Sequence, residues 1–425
     1  MWKGLPDLSG WGFLSVWCIK ILRLYEPPPF NKGGQNIYLF YTPMQSYNDP
    51  LHNLIYNTDA SHFENNEKTE VFLPKNRNEV IEIVENAVKE NKKIVCRAWG
   101  TNLVGNCLPS KNTIVIDLSA LNKILEQNAS SITVEPWLTT DELNEILDKY
   151  DLYFPVQLWS HASAQIGGMI ATNWAWMRAI KYWKMEKWVE EMEILTVYEN
   201  KEIKIQTFNA DNAKDFFWAE WGLGIVLNAK LRLIKKPEST SLTFKNFDSL
   251  DNALMFVESV KSKKNSELSA LEIINPQVSQ AVWLENKYYV IVEYENSTDG
   301  EITDKNEIKE IWAKRDACYP ATVNLWYPQI EDPELHENID ELFKWCENNN
   351  IPTYWHIWIG VLHPHFNSEQ KELMDDMYTL VQELWWNVSW EHWIWKKKQK
   401  YLSEQEKNQI KSIKEKWDSN DVFGF

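Results

Sequence analysis

The chain has 425 residues, of which 44% are hydrophobic and 25% are charged. This balance is typical of a globular protein, and the length allows two domains with separate hydrophobic cores. The formal net charge of −17 argues against nucleic acid or an anionic membrane as the main partner, because both select for basic surfaces. Small-molecule chemistry is the better hypothesis.

Glycine and tryptophan occur in unusual numbers. Average glycine usage of about 7% would give roughly 30 glycines in a chain of this length, but the sequence has 14 Gly and 24 Trp. The stretch GGMIATNWAWMRAIKYW (167–183) begins like a glycine-rich cofactor loop and then places tryptophans where small residues are expected. Tryptophan is in excess by about as much as glycine is short.

The cysteines and the N-terminal segment predict a cytoplasmic protein, with peripheral attachment to a membrane left open. The apolar run over 11–22 is too short to span a bilayer and makes a poor signal peptide. Residues 1–54 are treated as an N-terminal extension, and Met44 is an alternative start. The cysteines are few and scattered, which indicates reduced thiols: Cys18, Cys96, Cys107, Cys318 and Cys346.

From residue 69 onward the hydrophobic pattern predicts alternating strands and helices. A strand over 69–74 precedes a helix starting near residue 76, whose apolar residues fall on one face. Asn76 with Glu79, and Thr139 with Glu142, have the spacing of helix-capping boxes. Together with further strands, this alternation predicts an α+β or α/β domain. Those strands are predicted over 93–97, 113–119 and 132–136.

The polar stretch KKPESTS, just after residue 234, marks a domain boundary. The preceding residues 211–233 are predicted to form a loop, a tight turn and a strand. A second α+β region follows over about 240–345 and contains no motif that we can identify.

Six sequence blocks carry a family resemblance. In chain order they are CRAWGTNLVGNCLP, ITVEPWLTTDELN, SHASAQIGGMIATN, WAEWGLGIVLNAKLRL, YWHIWIGVLHPHF and WWNVSWEHWIW. The set resembles the signature blocks of the FAD-linked oxidases and dehydrogenases acting on D-2-hydroxy acids, such as D-lactate dehydrogenase and the glycolate oxidase flavin subunit. Six ordered blocks are far more specific than one short motif.

The resemblance implies an α+β architecture with three parts after the N-terminal extension. Residues 55–236 would form a PCMH-type, vanillyl-alcohol-oxidase-like FAD-binding domain with two subdomains. Residues 237–385 would form an α+β substrate (cap) domain. Residues 386–425 would return to the flavin and complete the active site.

Thirteen tryptophans fall on glycine positions of the family. Because one replacement type dominates while neighbouring motif residues survive, we interpret them as UGA codons that the source reads as glycine. Trp188 and Trp417 fit positions that accept large aromatics. The alternative is a decayed or artificial relative that truly carries the tryptophans. The thirteen are Trp99, Trp137, Trp176, Trp183, Trp218, Trp221, Trp355, Trp358, Trp385, Trp386, Trp390, Trp393 and Trp395.

Two loops are expected to bind FAD by this resemblance. The loop after the 93–97 strand would bind the pyrophosphate, although by itself an ordinary turn would explain it. The Ser163–Asn173 block would approach the isoalloxazine, and Ile225 would lie near the adenine. No histidine occupies the first loop, so non-covalent binding is expected. The remaining candidates are Arg97, Gly100, Thr101, Asn102, Gly105, Gln165, Gly167, Gly168 and Thr172.

The catalytic candidates lie toward the C-terminus. His356, His363 and Glu391 would hold a divalent metal, Zn or Mn, as in those relatives that have one. His392 is the candidate base, and Arg315 the candidate for the substrate carboxylate. The alternatives are buried structural histidines and a solvated helix arginine. The family's commonest pattern has Asp and Asn where this chain has Ile359 and Val361. This difference removes a polar group that is expected to face the substrate.

These features predict FAD-dependent oxidation of a D-2-hydroxy acid, such as D-lactate or glycolate, to the 2-oxo acid. The electron acceptor is expected to be a quinone, another protein or oxygen. The oligomeric state is not determined by the sequence, and a homodimer is one possibility. One alternative is a non-catalytic relative that keeps the fold. Another is a flavin oxidase acting on a different alcohol, such as a sugar lactone.

Overall fold

Seventeen strands lie in the part of the chain that this computed structural model describes, namely residues 46–47, 50–61, 63, 65–156, 158, 160–174, 177–334, 339–384, 387 and 395–424. The strands are β1 Ser46–Tyr47, β2 Glu70–Phe72, β3 Lys93–Arg97, β4 Thr113–Asp117, β5 Ile124–Gln127, β6 Ser131–Val134, β7 Leu152–Tyr153, β8 Val189–Val197, β9 Ile203–Asn209, β10 Ile225–Arg232, β11 Ile234–Lys235, β12 Thr240–Phe247, β13 Leu268–Ile274, β14 Tyr288–Glu295, β15 Gln329–Ile330, β16 Thr353–His356 and β17 Val361–Phe366.

The helices of the described residues lie between and after these strands. They are α1 Pro50–Tyr56, α2 Arg77–Lys89, α3 Thr140–Leu147, α4 Ile166–Thr172, α5 Ala179–Tyr182, α6 Leu250–Ser262, α7 Pro276–Ala281, α8 Lys305–Asp316, α9 Cys318–Asn324, α10 Ile339–Asn348, α11 Lys371–Glu383, α12 Trp395–Lys398 and α13 Glu404–Trp417. Single 3₁₀ turns occur at Asp148–Tyr150, Met185–Lys187, Glu199–Lys201 and Gln399–Tyr401.

The first sheet has the order β1-β2-β4-β3, with β2, β4 and β3 parallel. Helix α2 covers it with the apolar face that the sequence predicts, and Asn76 caps the helix by accepting hydrogen bonds from two backbone N–H groups. The chain end returns to this sheet, because Ile94 forms a parallel bridge with Phe423.

The second sheet is antiparallel, with the order β5-β6-β10-β8-β9. Helix α3, beside it, begins with the predicted capping box between Thr139 and Glu142. Leu195 and Ile225 of this sheet share one buried cluster with Ile94 and Ile114 of the first sheet. We call residues 69–235, which contain β2–β11, the flavin-binding region.

The third sheet, which we call the cap sheet, is six-stranded and antiparallel in the order β12-β14-β13-β16-β17-β15. It extends to Phe366, because β16 pairs with β13 and β17 pairs with β16. Side chains on one face pack with α6, α10 and α11, and those on the other face pack with α7, α8 and α9. Strands β13 and β14 are therefore buried on both faces.

Two further expectations concern the membrane and the thiols. Among the described residues, no helix combines the length and apolarity needed to cross a bilayer. The four cysteines in the described part are buried free thiols, and burial raises the pKa of Cys107 and Cys318 to about 12. Such thiols are predominantly protonated and unreactive at neutral pH.

Candidate active site

The loop after β3 contains the first group of predicted flavin ligands. Gly100 and Gly105 have φ of +74° and +87°, a backbone conformation that glycine adopts without strain. A Cβ atom at position 100 would overlap the Arg97 guanidinium, so the arginine lies directly against the glycine backbone. Arg97 also donates to the Thr58 carbonyl at 2.7 Å. The positive φ therefore favours glycine at position 100, and the absence of a Cβ leaves room for the Arg97 guanidinium.

Asn102 organises the same loop. Its Oδ1 accepts hydrogen bonds from the backbone N–H groups of residues 104, 105 and 106 at 2.9, 2.8 and 3.1 Å. The neighbouring Thr101 is exposed to solvent. One side chain thus fixes the curvature of the loop.

The second predicted block surrounds helix α4. A Cβ atom at Gly167 would meet Pro136 at 2.6 Å and the Trp221 ring at 2.8 Å, whereas one at Gly168 would meet no atom within 4 Å. Gly168 therefore borders open space, as a backbone that approaches a cofactor requires. The amide Nε2 of Gln165 is buried and has no hydrogen-bond partner among the described residues.

The remaining members of that block stabilise the helix. Ser163 donates to the Ser160 carbonyl at 3.1 Å, and Thr172 donates to the Gly168 carbonyl at 2.9 Å. Asn173 ends the helix in the left-handed conformation, with φ of +45°. These contacts account for the three residues locally, without a ligand.

Glu220 connects the two loops and was missed by the sequence interpretation. Its backbone N–H donates to the Ala171 carbonyl at the end of α4 at 2.8 Å, and its carboxylate accepts a hydrogen bond from Asn106. Burial raises the pKa of this carboxyl well above its ordinary value of 4.5, although Lys398 and hydrogen bonds from Asn102 and Asn106 oppose the shift. Ile225, the predicted adenine neighbour, is fully buried at the start of β10.

Several tryptophans adopt backbone conformations that favour glycine. Trp218 and Trp221, in the turn beside Glu220, have φ of +76° and +69°. Trp183 has φ of +65° with ψ of −159°, a combination found almost only in glycine. Such conformations cost a residue with a side chain about 1–3 kcal/mol each. All three positions are family glycines by the resemblance above.

Two more tryptophans, Trp283 and Trp326, occupy the position just after the helix cap of α7 and α9, with φ of +58° and +70°. The N–H of residue 283 bonds to the carbonyl of Gln280 and that of residue 284 to Ser279, at 3.1 and 2.9 Å. Residues 326 and 327 repeat this arrangement at 3.0 and 3.1 Å. This is the Schellman motif, whose left-handed residue is usually glycine.

Other tryptophans behave as ordinary core residues. The indole N–H groups of Trp188, Trp312 and Trp417 each donate a hydrogen bond of 2.7 Å, to the Tyr182 carbonyl, Glu293 and Asp215 respectively. None of these three is among the residues with positive φ. Backbone conformation therefore separates these three tryptophans from the five with positive φ.

The hairpin β16–β17 brings two predicted metal ligands together. His356 and His363 lie on neighbouring strands with ring centroids 5.0 Å apart, edge to face. Glu391 and His392 lie outside the described residues, as do Trp176, Trp385, Trp386, Trp390 and Trp393. Among the described residues no cluster of three histidine, cysteine or carboxylate groups could hold a metal ion.

Both sides of the undescribed stretch 388–394 are anchored beside this hairpin. Before it, Asn387 pairs with Glu334, which also pairs with Val361 of β17. After it, Lys397 contacts the buried Glu331 at 2.6 Å. Since the Glu331 carbonyl lies 3.3 Å from Nδ1 of His363, the C-terminal segment returns to the paired histidines.

Arg315 is held by a carboxylate that the sequence interpretation did not identify. Its side chain is only 3% exposed, and its Nε and a terminal nitrogen lie 2.8 and 2.6 Å from Glu272 of β13. The other oxygen of Glu272 lies 2.6 Å from Nδ1 of His356. The guanidinium is also stacked on the Tyr354 ring. The structure therefore makes Arg315 a buried, charge-paired residue and not a solvated one.

The two sets of candidates face each other. Leu103 of the first loop and Met177, just after the second, pack against the cap-sheet cluster that includes Tyr354. Ile359, at the turn of the histidine hairpin, packs against the core of the flavin-binding region. Val361 is fully buried. The two positions that depart from the family pattern are thus apolar contacts.

Comparison with known proteins agrees with this arrangement. The FAD binding domain family matches residues 69–203. The chain is 23% identical to D-2-hydroxyglutarate dehydrogenase of Stutzerimonas stutzeri (strain A1501), over 83% of this chain and 89% of that protein. It is 26% identical to the glycolate oxidase subunit GlcD of Bacillus subtilis (strain 168), over 50% and 46% of the two chains.

A solved structure of alkyldihydroxyacetonephosphate synthase superposes with a TM-score of 0.67, covering 90% of this chain and 84% of that one at 18% identity. At this identity the likeness concerns the fold alone. The predicted α+β architecture with a PCMH-type FAD-binding domain is confirmed.

Proposed function

We propose that this chain, which is similar to FAD-linked oxidases and dehydrogenases, oxidises a D-2-hydroxy acid to the 2-oxo acid. Candidate substrates are D-lactate, glycolate and D-2-hydroxyglutarate. The observation that carries the proposal is the contact between the glycine loops of the flavin-binding region and the cap-sheet face bearing Arg315 and His356. One side suits a dinucleotide, and the other a small anion.

The glycine loops fit FAD. Gly100 and Gly105 hold the first loop in positive φ, and Gly168 borders open space. Backbone N–H groups in such loops suit a pyrophosphate. FAD, when bound, supplies the hydride acceptor. Arg97, Thr101, Asn102 and the 163–173 block stay our candidates for binding it non-covalently, with Ile225 near the adenine.

The substrate carboxylate and hydroxyl need two separate groups. Arg315 binds the carboxylate in this proposal, because a guanidinium has five N–H donors and Glu272 engages only part of them. His392 takes the hydroxyl proton as the hydride leaves Cα, since a neutral imidazole suits that role at neutral pH. This assignment is supported by the described residues on either side of the 388–394 stretch, since Asn387 and Lys397 are both anchored beside the histidine hairpin.

A divalent metal is a further part of the proposal. His356 and His363 would provide two of its ligands and Glu391 the third, and a bound ion would polarise the substrate hydroxyl. The described residues contribute only the two histidines. The third ligand, Glu391, lies outside the described residues.

The native protein carries glycine at the suspect tryptophan positions in this proposal. Tryptophan at 218 and 221 strains the turn beside Glu220, and the Trp221 ring closes the space in front of Gly167. Replacement by glycine removes both obstacles to FAD. The backbone conformations of Trp283 and Trp326 add two positions to the thirteen. We call the chain with glycine at all fifteen positions the glycine form.

The test is to express the glycine form and measure flavin content and reduction. We expect one FAD per chain, released by acid precipitation, and bleaching near 450 nm on anaerobic mixing with a D-2-hydroxy acid, with the L-enantiomer of lactate as control. Colourless protein that does not take up FAD would contradict the cofactor assignment. Bound flavin that no 2-hydroxy acid reduces would favour a non-catalytic relative, and reduction by sugar lactones alone would favour another alcohol.

A further inference from the structure

Glu272 is a completely buried carboxylate with two different partners. One oxygen, Oε2, accepts hydrogen bonds from Arg315 Nε and a terminal guanidinium nitrogen at 2.8 and 2.6 Å. The other, Oε1, lies 2.6 Å from Nδ1 of His356. The three residues come from β13, α8 and β16, so the tertiary fold alone unites them.

We propose that Glu272 is a positioning residue that keeps a proton on Nδ1 of His356 and holds the Arg315 guanidinium in place. An ionised carboxylate only accepts hydrogen bonds, so a 2.6 Å contact requires Nδ1 of His356 to donate. The Nε2 atom then carries the lone pair. A histidine fixed in this way can bind a divalent ion or accept a hydrogen bond from a substrate hydroxyl.

The charges of the cluster are consistent with this role. Arg315 and Glu272 are both buried, and their opposite charges compensate each other. Because Glu272 balances the guanidinium, the ion pair places no net charge beside His356. Arg315 also lies 3.5 Å from Nδ1 of His356, but this longer contact is weak beside the 2.6 Å contact with the carboxylate.

The isosteric change Glu272→Gln is expected to invert the histidine tautomer. Gln has one carbonyl oxygen and one NH₂ group, and the cationic Arg315 requires the oxygen on its side. The NH₂ group then faces Nδ1 of His356, which must accept, so the proton moves to Nε2. The shape of the side chain is retained, and only the direction of one hydrogen bond changes.

Glu293 provides a matched control on the neighbouring strand β14. It is also completely buried and pairs with an arginine, Arg178, at 2.6 and 2.9 Å. Its other partners are Ser269 and the indole N–H of Trp312, at 2.8 and 2.7 Å, and they include no histidine. Glu293→Gln removes the same charge from the same face of the cap sheet without altering the His356 contact.

The experiment is ¹⁵N-histidine NMR of the full-length, metal-free protein at a pH above 8. The protein carries tryptophan or glycine at the suspect positions, whichever mass spectrometry finds in the native protein. The His356 signals are assigned by their loss in His356→Asn. We expect protonated Nδ1 in the parent and in Glu293→Gln, and protonated Nε2 in Glu272→Gln. Protonated Nε2 in the parent would overturn the proposal without any variant, as would an unchanged tautomer in folded Glu272→Gln.

A kinetic arm links the cluster to turnover and rests on the proposed function. Loss of a hydrogen-bond partner that orients a ligating histidine typically lowers metal affinity or activity by about 10–100-fold. We expect Glu272→Gln to raise KM for the 2-hydroxy acid by about that factor with a smaller change in kcat, and Glu293→Gln to leave both near the parent values. Parent flavin that no hydroxy acid reduces would contradict the proposed function, whereas the NMR result would still decide the role of Glu272.

Discussion

The flavin-binding region and the cap sheet position their candidate residues by different means. In the flavin-binding region the important features are backbone features, namely positive φ at Gly100 and Gly105 and open space beside Gly168. In the cap sheet they are side chains held by buried ion pairs, as in Arg315 with Glu272. A bulky residue therefore damages the first region, while the loss of one charge damages the second.

The largest expected effect concerns which residue, glycine or tryptophan, occupies the positions with left-handed (positive φ) backbone. Peptide mass spectrometry of the native protein should find glycine at the positions of Trp183, Trp218 and Trp221, and also at those of Trp283 and Trp326. The physical reason is the cost of about 1–3 kcal/mol that such backbone imposes on a residue with a side chain. The corresponding codons should be UGA.

The matched controls are Trp188, Trp312 and Trp417, whose indole N–H groups are hydrogen-bonded. These positions should read as tryptophan, encoded by UGG. Tryptophan at both 218 and 221 in the native protein would contradict the glycine proposal. It would also leave the turn beside Glu220 with two tryptophans in strained backbone.

The next largest effect tests the chemistry assigned to the cap side. In the glycine form, His392→Ala should lower the rate of flavin reduction by about 10²–10⁴-fold, the usual contribution of general base catalysis. Flavin content and substrate binding should change little, because the imidazole acts only on the hydroxyl proton. Stopped-flow absorbance measures this step independently of the electron acceptor.

His363→Ala is the comparison for that variant. Removing this predicted metal ligand should weaken the binding of added Zn²⁺ or Mn²⁺, whereas His392→Ala should retain it. Equal and mild losses of reduction rate in both variants would indicate structural histidines, and the non-catalytic reading would then be favoured.

The smallest effect concerns stability of the cap sheet and its pH dependence. Burial raises the pKa of Glu293, but the charge and hydrogen bonds of Arg178 outweigh it, so the net shift is below the ordinary value of 4.5. A lowered pKa in the folded state means that the pair stabilises the fold above about pH 4.5. This contribution is lost as the pH falls through the folded-state pKa.

Glu293→Gln should therefore lower the free energy of unfolding near pH 7 by about 1.5–3 kcal/mol, as for hydrogen bonds to charged groups. The difference from the parent should shrink as the pH falls below 4.5. Urea unfolding of the glycine form at a series of pH values measures it. A difference that grows toward acid pH would show that the carboxyl is protonated in the native state.

Local sequence signals were sufficient for much of the flavin-binding region. The strand over Lys93–Arg97 and the Thr139–Glu142 capping box were predicted correctly because period, propensity and capping act over a few residues. The strand order of the cap sheet could not be predicted in this way. Strand β16 pairs with β13, a contact between distant segments that no local pattern encodes.

The sequence by itself predicted the family resemblance, the FAD-binding fold and the two glycine loops, because those features lie in short ordered blocks. It also predicted His356 and His363 as a pair, since seven residues are enough for one hairpin. Only the tertiary structure decided that Glu272 holds both His356 and Arg315, which lie 84 and 43 residues away. The same holds for the left-handed backbone at Trp283 and Trp326, because φ is set by how the chain leaves each helix.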